Sequence, residues 1–170
     1  MKAIAADGLT LEPQIVAHAE EMFQVLSDPA IYEHEREPPG SLEWLRQRFA
    51  RLESRRSADG REHWLNWVIR LPSGELAGYV QATVTENGRA GIAYELASQY
   101  WGRGLARRAV EAMAAELAAH YRVHTLTAVL KRTNNRSRRL LERLGFSAVS
   151  AEDAGLGADE MLMERRIAAA

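Results

Sequence analysis

The 170-residue chain predicts a mixed α/β fold. Three observations carry that prediction. Apolar stripes at helical spacing alternate with runs that read as strands. Two turn signals, Pro72-Ser73-Gly74 and Glu86-Asn87-Gly88, divide three consecutive strand runs. A strand-like run from Gly91 to Ala97 then leads through Gly102-Arg103-Gly104 into an alanine-rich helix.

The elements follow in order. Leu9-Thr10-Leu11-Glu12-Pro13 reads as a first strand. Ile15, Val16, Ala19, Met22, Phe23 and Leu26 form a helical stripe, which Ser27-Asp28-Pro29 stops. Residues 31–40 are irregular and acidic, with Glu33, Glu35 and Glu37 ahead of Pro38-Pro39-Gly40. Ser41 is a good N-cap for a helix faced by Trp44, Leu45, Arg48, Phe49 and Leu52. A polar loop covers 55–61, and strands follow at 64–71, 75–85 and 89–97. The helix at 103–120 places Leu105, Ala109, Met113 and Leu117 on one stripe. Residues 124–130 alternate like a buried strand. Residues 134–144 are helical, with Gly145 closing the helix. Residues 146–150 and 160–167 are expected as final strands. The order is β-α-α-β-β-β-α-β-α-β-β.

Composition narrows the function classes. Length fits one domain over 1–170 with a substantial core. Hydrophobic residues make up 46% and charged residues 26%, ordinary for a globular protein. A net charge of −1 gives no overall pull toward nucleic acid or a membrane surface. The chain has no cysteine, which removes disulfides, thiolate metal sites and a cysteine nucleophile. That usage fits a reducing compartment, and the expected location is cytoplasmic. No apolar run approaches the ~20 residues that span a bilayer, and the N-terminus is too short in apolar residues for a signal peptide. The five histidines show no metal-ligand spacing, so no metal is expected. The four tryptophans read as core. The final Ala168-Ala169-Ala170 is expected to fray.

The glycine turn carries the chemistry. Glycine permits close backbone approach and unusual dihedrals. The first N–H groups of a helix lack internal partners, and the dipole favours negative charge there. A phosphate or pyrophosphate is the natural guest. The Walker pattern is excluded, because Leu105 and Ala106 follow Gly104. The dinucleotide fingerprint is excluded as well, because position 107 is Arg.

What remains, Gln99-Tyr100-Trp101-Gly102-Arg103-Gly104 entering a helix, resembles the pyrophosphate loop of the GNAT superfamily of acyl-CoA N-acyltransferases. A second segment, Asn134-Asn135-Arg136-Ser137 through Leu144-Gly145-Phe146, is similar to that superfamily's Asn-x-x-Ser...Leu-Gly-Phe helix. The wording Tyr94-Glu95-Leu96-Ala97 before Tyr100-Trp101-Gly102 resembles the RimJ/RimL-like branch, the ribosomal-protein N-terminal acetyltransferases and their relatives. The resemblance covers nearly the whole chain and is weakest over 1–60.

The resemblance implies a mostly antiparallel sheet with one splayed parallel strand pair and helices on both faces. It implies acetyl-CoA as co-substrate, with no metal. The acyl arm would lie in the splay near Leu96 and Ala97. The phosphates would rest on the loop of Gln99, Gly102, Arg103, Gly104, Leu105 and Ala106, with Arg103 and Arg107 adding charge. Asn134 matches the family asparagine that contacts the CoA arm, and it is also a suitable N-cap. Ser137 matches a hydroxyl near the departing thiolate and is the candidate acid. Where some relatives carry tyrosine as that acid, this chain has Leu141. Glu95 is the first candidate base, and the carboxylates of Glu33, Glu35 and Glu37 are the alternative source. The expected reaction is direct acyl transfer to a primary amine, on a protein N-terminus or a small molecule. The competing expectation is a non-catalytic acyl-CoA sensor or partner subunit. The basic run from Lys131 to Arg143 lacks interleaved aromatics and implies no stable nucleic-acid binding. A monomer and a homodimer are both open, and no membrane partner is expected.

Overall fold

The structure is a computed structural model, and it describes residues 1–34, 37–150 and 155–168. Among these residues eight strands form one sheet: β1 (Ile4–Ala6), β2 (Leu9–Pro13), β3 (Glu62–Arg70), β4 (Leu76–Thr85), β5 (Arg89–Leu96), β6 (Thr125–Lys131), β7 (Ser147–Val149) and β8 (Glu160–Arg166). Their spatial order is β1-β2-β3-β4-β5-β6-β8-β7. Every neighbouring pair is antiparallel except β5 with β6.

Among the described residues four α-helices cover the sheet: α1 (Ala19–Val25), α2 (Leu42–Leu52), α3 (Leu105–Tyr121) and α4 (Asn135–Arg143). They lie on both faces, over two cores. On one face α3 sets Leu105, Ala109, Met113 and Leu117 against Leu65, Trp67, Ile69 and Val80. On the other, Met22 of α1 and Leu45 and Phe49 of α2 meet Val68 and Leu76. Residues 65–69 of β3 are therefore buried without a break, because a sheet covered on both faces needs apolar residues on both. Each fully buried Leu or Met of this kind contributes roughly 2 kcal/mol.

The predicted cap chemistry is in place. Ser41 Oγ accepts from Trp44 N at 3.0 Å, and Asn134 Oδ1 accepts from Ser137 N at 3.0 Å. Gly145 follows α4 with φ +83°, the left-handed residue that ends many helices.

Three features depart from the sequence reading. The chain gains β1, which pairs Ile4 with Leu11 and Ala6 with Leu9. The helix expected from Ile15 opens as a single 3-10 turn at Val16–His18 before α1. Trp44, expected on the core face of α2, is 48% exposed. Of the tail expected to fray, residues 169 and 170 lie outside the described residues.

The parallel pair β5–β6 decides where a ligand can go. It runs for only three residue pairs, from Arg89↔Thr125 to Gly91↔Thr127. At that end the strands are pinned by His124 N donating to Gly88 O at 2.9 Å and by Arg89 Nη2 meeting Glu164 Oε2 at 2.6 Å. Beyond Gly91 the two strands part.

Candidate active site

A cavity of about 650 Å3 fills the space where β5 and β6 part. Ile92 through Leu96 form one wall, and Ala128, Val129 and Leu130 form the other. Its remaining sides are the glycine loop and the first turns of α4.

The loop has the geometry an anion needs. Gly102 and Gly104 have φ +73° and +72°, a conformation other residues adopt only with strain. A side chain at Gly102 would meet no described protein atom within 4 Å, so the loop backs onto open space. Gly104 is the N-cap of the 17-residue helix α3. The first helical bond runs from Arg108 N to Gly104 O at 3.1 Å. The N–H groups of Leu105, Ala106 and Arg107 precede that bond and have no helical partner.

Cations surround the loop from two helices. Arg107 lines the cavity and pairs with Glu111 at 3.3 Å. Arg136, Arg139 and Arg143 of α4 line it too. Arg108 packs behind the loop, its Nη1 3.2 Å from where a Cβ on Gly104 would stand. Its buried Nε has no hydrogen-bond partner among the described residues. An open wedge, a left-handed glycine pair, unpaired helix N–H groups and a lining of four arginines together fit a thin, polyanionic ligand.

Side chains fix the wedge's shape. Trp101 Nε1 donates to Leu96 O at 2.9 Å, and the Arg136 guanidinium lies 3.3 Å from the centre of the Trp101 ring. Tyr94 crosses from β5 to α4, where its hydroxyl and Ser137 Oγ are 2.8 Å apart. Burial pushes the Tyr94 phenol up to about 12, against the opposing pull of the Ser137 hydrogen bond and the Arg136 charge.

A second cavity, of about 360 Å3, lies on the other face of the sheet beneath α2. Gln14, Asn66, Tyr79 and Gln81 give it a polar floor, and Leu45, Phe49 and the exposed Trp44 give it an apolar side. Glu37 and Glu95 line it as well. Glu95 lines both cavities. The two spaces therefore share a wall at this residue.

Most sequence-predicted residues gather at the first cavity. Glu95, Leu96, Gly102, Gly104, Leu105, Ala106, Arg107, Asn134 and Ser137 all line it. Ala97, Gln99 and Arg103 do not. Ala97 is buried, and its N–H is taken by Ala77 O at 3.0 Å. Gln99 is exposed on the short 3-10 turn after β5. The Arg103 guanidinium sits over the Tyr100 ring at 5.7 Å. Of the acidic loop, Glu37 reaches the second cavity and Glu33 is exposed beside His34, while Glu35 lies outside the described residues. Leu141 is core, 1% exposed.

Sequence reasoning missed the Tyr94 contact and the second cavity's floor. Only Asn66 left a trace, as a polar residue inside the apolar run 64–71.

The family described as "Acetyltransferase (GNAT) domain" matches residues 8–147. Among solved structures, RimL, a ribosomal L7/L12 alpha-N-protein acetyltransferase in complex with coenzyme A, superposes with a TM-score of 0.82 at 19% identity, covering 97% of this chain and 98% of that one. A ribosomal-protein-S5-alanine acetyltransferase from Vibrio fischeri gives 0.77 at 19% identity, with 96% of each chain covered. An acetyltransferase from Thermus thermophilus gives 0.75 at 25% identity, covering 94% of this chain and 97% of that one. No curated protein matches the sequence.

Proposed function

The chain belongs to the GNAT acetyltransferase family and is by class an acyl-CoA-dependent N-acyltransferase, and on that premise we propose that it acetylates a primary amine held in the second cavity. One observation supports the reading: Glu95 lines both cavities, and a carboxylate-bearing residue on the wall between donor and acceptor spaces can serve as the base.

When bound, acetyl-CoA supplies a thioester carbonyl open to attack by an amine. The chain's own residues bind and orient. Gly102, Gly104 and the N–H groups of Leu105 to Arg107 hold phosphate oxygens, and the side chains of Arg107, Arg136 and Arg139 add charge. Leu96 and Asn134 border the acyl arm. A main-chain N–H of β5 receives the negative charge that develops on the carbonyl oxygen. Glu95 takes the amine proton on its carboxylate, directly or through one water, because only a neutral amine attacks. Ser137 offers its hydroxyl on the leaving-group side. The acceptor is a cationic amine at rest, on a small molecule or a protein N-terminus, and the carboxylates of Glu37 and Glu95 suit it.

Calorimetric titration with acetyl-CoA, followed by thiol release over a panel of amines and N-terminal peptides, tests this. Binding at micromolar Kd with turnover on at least one amine is expected. Binding without turnover across the panel would favour a sensor; no binding would refute the donor assignment.

A further inference from the structure

The splay between β5 and β6 is bridged by a side chain. Pairing stops at Gly91↔Thr127, and three residues on, Tyr94 reaches over the gap to Ser137 Oγ at 2.8 Å. The same hydroxyl lies 3.5 Å from the Ser137 carbonyl oxygen. Tyr94 and Ser137 both line the larger cavity.

We propose that Tyr94 is a positioning residue for acyl transfer: its phenol donates to Ser137 Oγ and thereby aims the Ser137 hydroxyl proton at the leaving sulfur. The inference rests on the acyl-CoA reading of the cavity.

A serine hydroxyl has one proton and two lone pairs, and alone it rotates to whichever acceptor is nearest. Filling one lone pair from Tyr94 leaves the serine proton to point elsewhere. The rest of Ser137 is already fixed, since its N–H is held by Asn134 Oδ1 at 3.0 Å. What remains free is the hydroxyl torsion, and the phenol sets it.

Either oxygen could donate by geometry, and the phenol, an aryl O–H, is the stronger donor of the two. Burial pushes the phenol up to about 12, so Tyr94 keeps its proton at working pH and stays a donor. An alkyl thiol such as that of cysteine ionises near ~8.5. Handing the phenol proton to a thiolate would run uphill by roughly three powers of ten. Tyr94 therefore aims and polarises without giving up its proton. As the C–N bond forms and the C–S bond breaks, the amine proton passes to Glu95, the leaving thiolate is held by the Ser137 hydroxyl and takes a proton from water, and the hydroxide so formed takes the proton back from Glu95. Tyr94 and Ser137 end unchanged.

The bridge is separable from the wall it crosses. The first turn of α4 is also tied to β5 through Arg136 on the Trp101 ring and Trp101 Nε1 on Leu96 O. Tyr94→Phe therefore removes one hydroxyl and leaves α4 in place.

The test is a titration of the thiol of bound CoA by its thiolate absorbance, in the wild type, Tyr94→Phe, Ser137→Ala and the double variant. Thermal unfolding checks that each is folded. The wild type is expected to ionise the bound thiol at lower pH than Tyr94→Phe, with an acid constant about ten times larger, while CoA affinity below that pH changes less than about twofold. Ser137→Ala should titrate like the double variant, because the phenol acts only through the serine. Turnover of Tyr94→Phe should fall about tenfold in kcat with KM for acetyl-CoA unchanged. Equal titrations in the wild type and Tyr94→Phe would overturn the role of Tyr94 and leave the acyl-CoA reading standing. Failure of the wild type to bind CoA would overturn that reading and this inference with it.

Discussion

The two cavities on either side of Glu95 are built differently. The larger is made chiefly from main chain: two strands that part, a glycine pair at positive φ and the open end of α3. The smaller is made from side chains on separate elements: Gln14 after β2, Trp44 and Phe49 on α2, Asn66 on β3, and Tyr79 and Gln81 on β4. Main-chain sites depend on a few backbone conformations, and any sequence that keeps those keeps the ligand. Side-chain sites change with every substitution along their walls. On the proposed reading, the first kind holds a donor shared by a whole family, and the second selects the acceptor.

The sharpest way to break this division is at the residue both spaces share. Glu95→Gln should lower kcat by about 10²–10³-fold, some 3–4 kcal/mol of barrier, with acetyl-CoA affinity within about twofold. Steady-state rates beside calorimetry check it. A rate within twofold of wild type would move the base elsewhere, with Glu37 next in reach of the acceptor.

A smaller effect comes from the strand seam beneath that carboxylate. A Cβ on Gly78 would stand 2.0 Å from Glu95 O and 2.8 Å from Leu96 Cα, so β4 can lie this close to β5 only with glycine there. Gly78→Ala must push β5 outward and should cost about 2–3 kcal/mol in thermal unfolding. Gly91→Ala serves as the contrast. Its Cβ would meet Thr127 Oγ1 at 3.8 Å, ordinary contact, and stability should hold within about 1 kcal/mol. Equal losses at both positions would show that close approach at Gly78 is not what fixes the wall.

The smallest effect concerns the tie between the two regions. Asp28, in the segment between α1 and α2, accepts from Ser98 N at 2.6 Å through Oδ2 and from Ala30 N at 3.0 Å through Oδ1. Those bonds, from Ser98 first, hold its carboxyl below the usual 3.8. The folded state thus binds the proton less readily than the unfolded chain. The stabilisation is fully present above about pH 4 and is lost as pH falls through the folded value. Asp28→Asn should cost about 0.5–1 kcal/mol at pH 7 after allowing for solvent screening, and the gap to wild type should narrow below pH 4. Chemical denaturation at pH 7 and pH 3 measures both. A gap independent of pH would mean that the charge plays no part.

The same division explains what could be read in advance. The glycine loop was legible because its backbone demand falls on two glycines in a short window. The stripe of α3 was legible because Leu105, Ala109, Met113 and Leu117 repeat at the helical period, and all are buried. The floor of the second cavity was not. Gln14 and Gln81 are 67 positions apart and become neighbours only through the β2–β3–β4 register, which pairs Pro13 with Trp67 and Asn66 with Gln81. Tyr94 and Ser137 are separated by 43 positions, and no local spacing links them. Strand β1 escaped because three residues carry no period; it is held by pairing with β2 and by a long contact from Trp67 Nε1 to Lys2 O at 3.4 Å. Trp44 misled because an exposed tryptophan and a buried one read alike on a helix face.

The three-residue pairing of β5 with β6 has a consequence for how the protein behaves in a crowded solution. Unpaired strand edges invite other chains to add themselves, which is how sheets aggregate. Besides the outer edges at β1 and β7, two stretches of unpaired edge on β5 and β6 face each other inside the molecule, walled by α4 and the glycine loop. A folded neighbour cannot enter so narrow a gap. A single flexible linear molecule can. The fold keeps a sticky edge available to a small guest while hiding it from every protein-sized competitor.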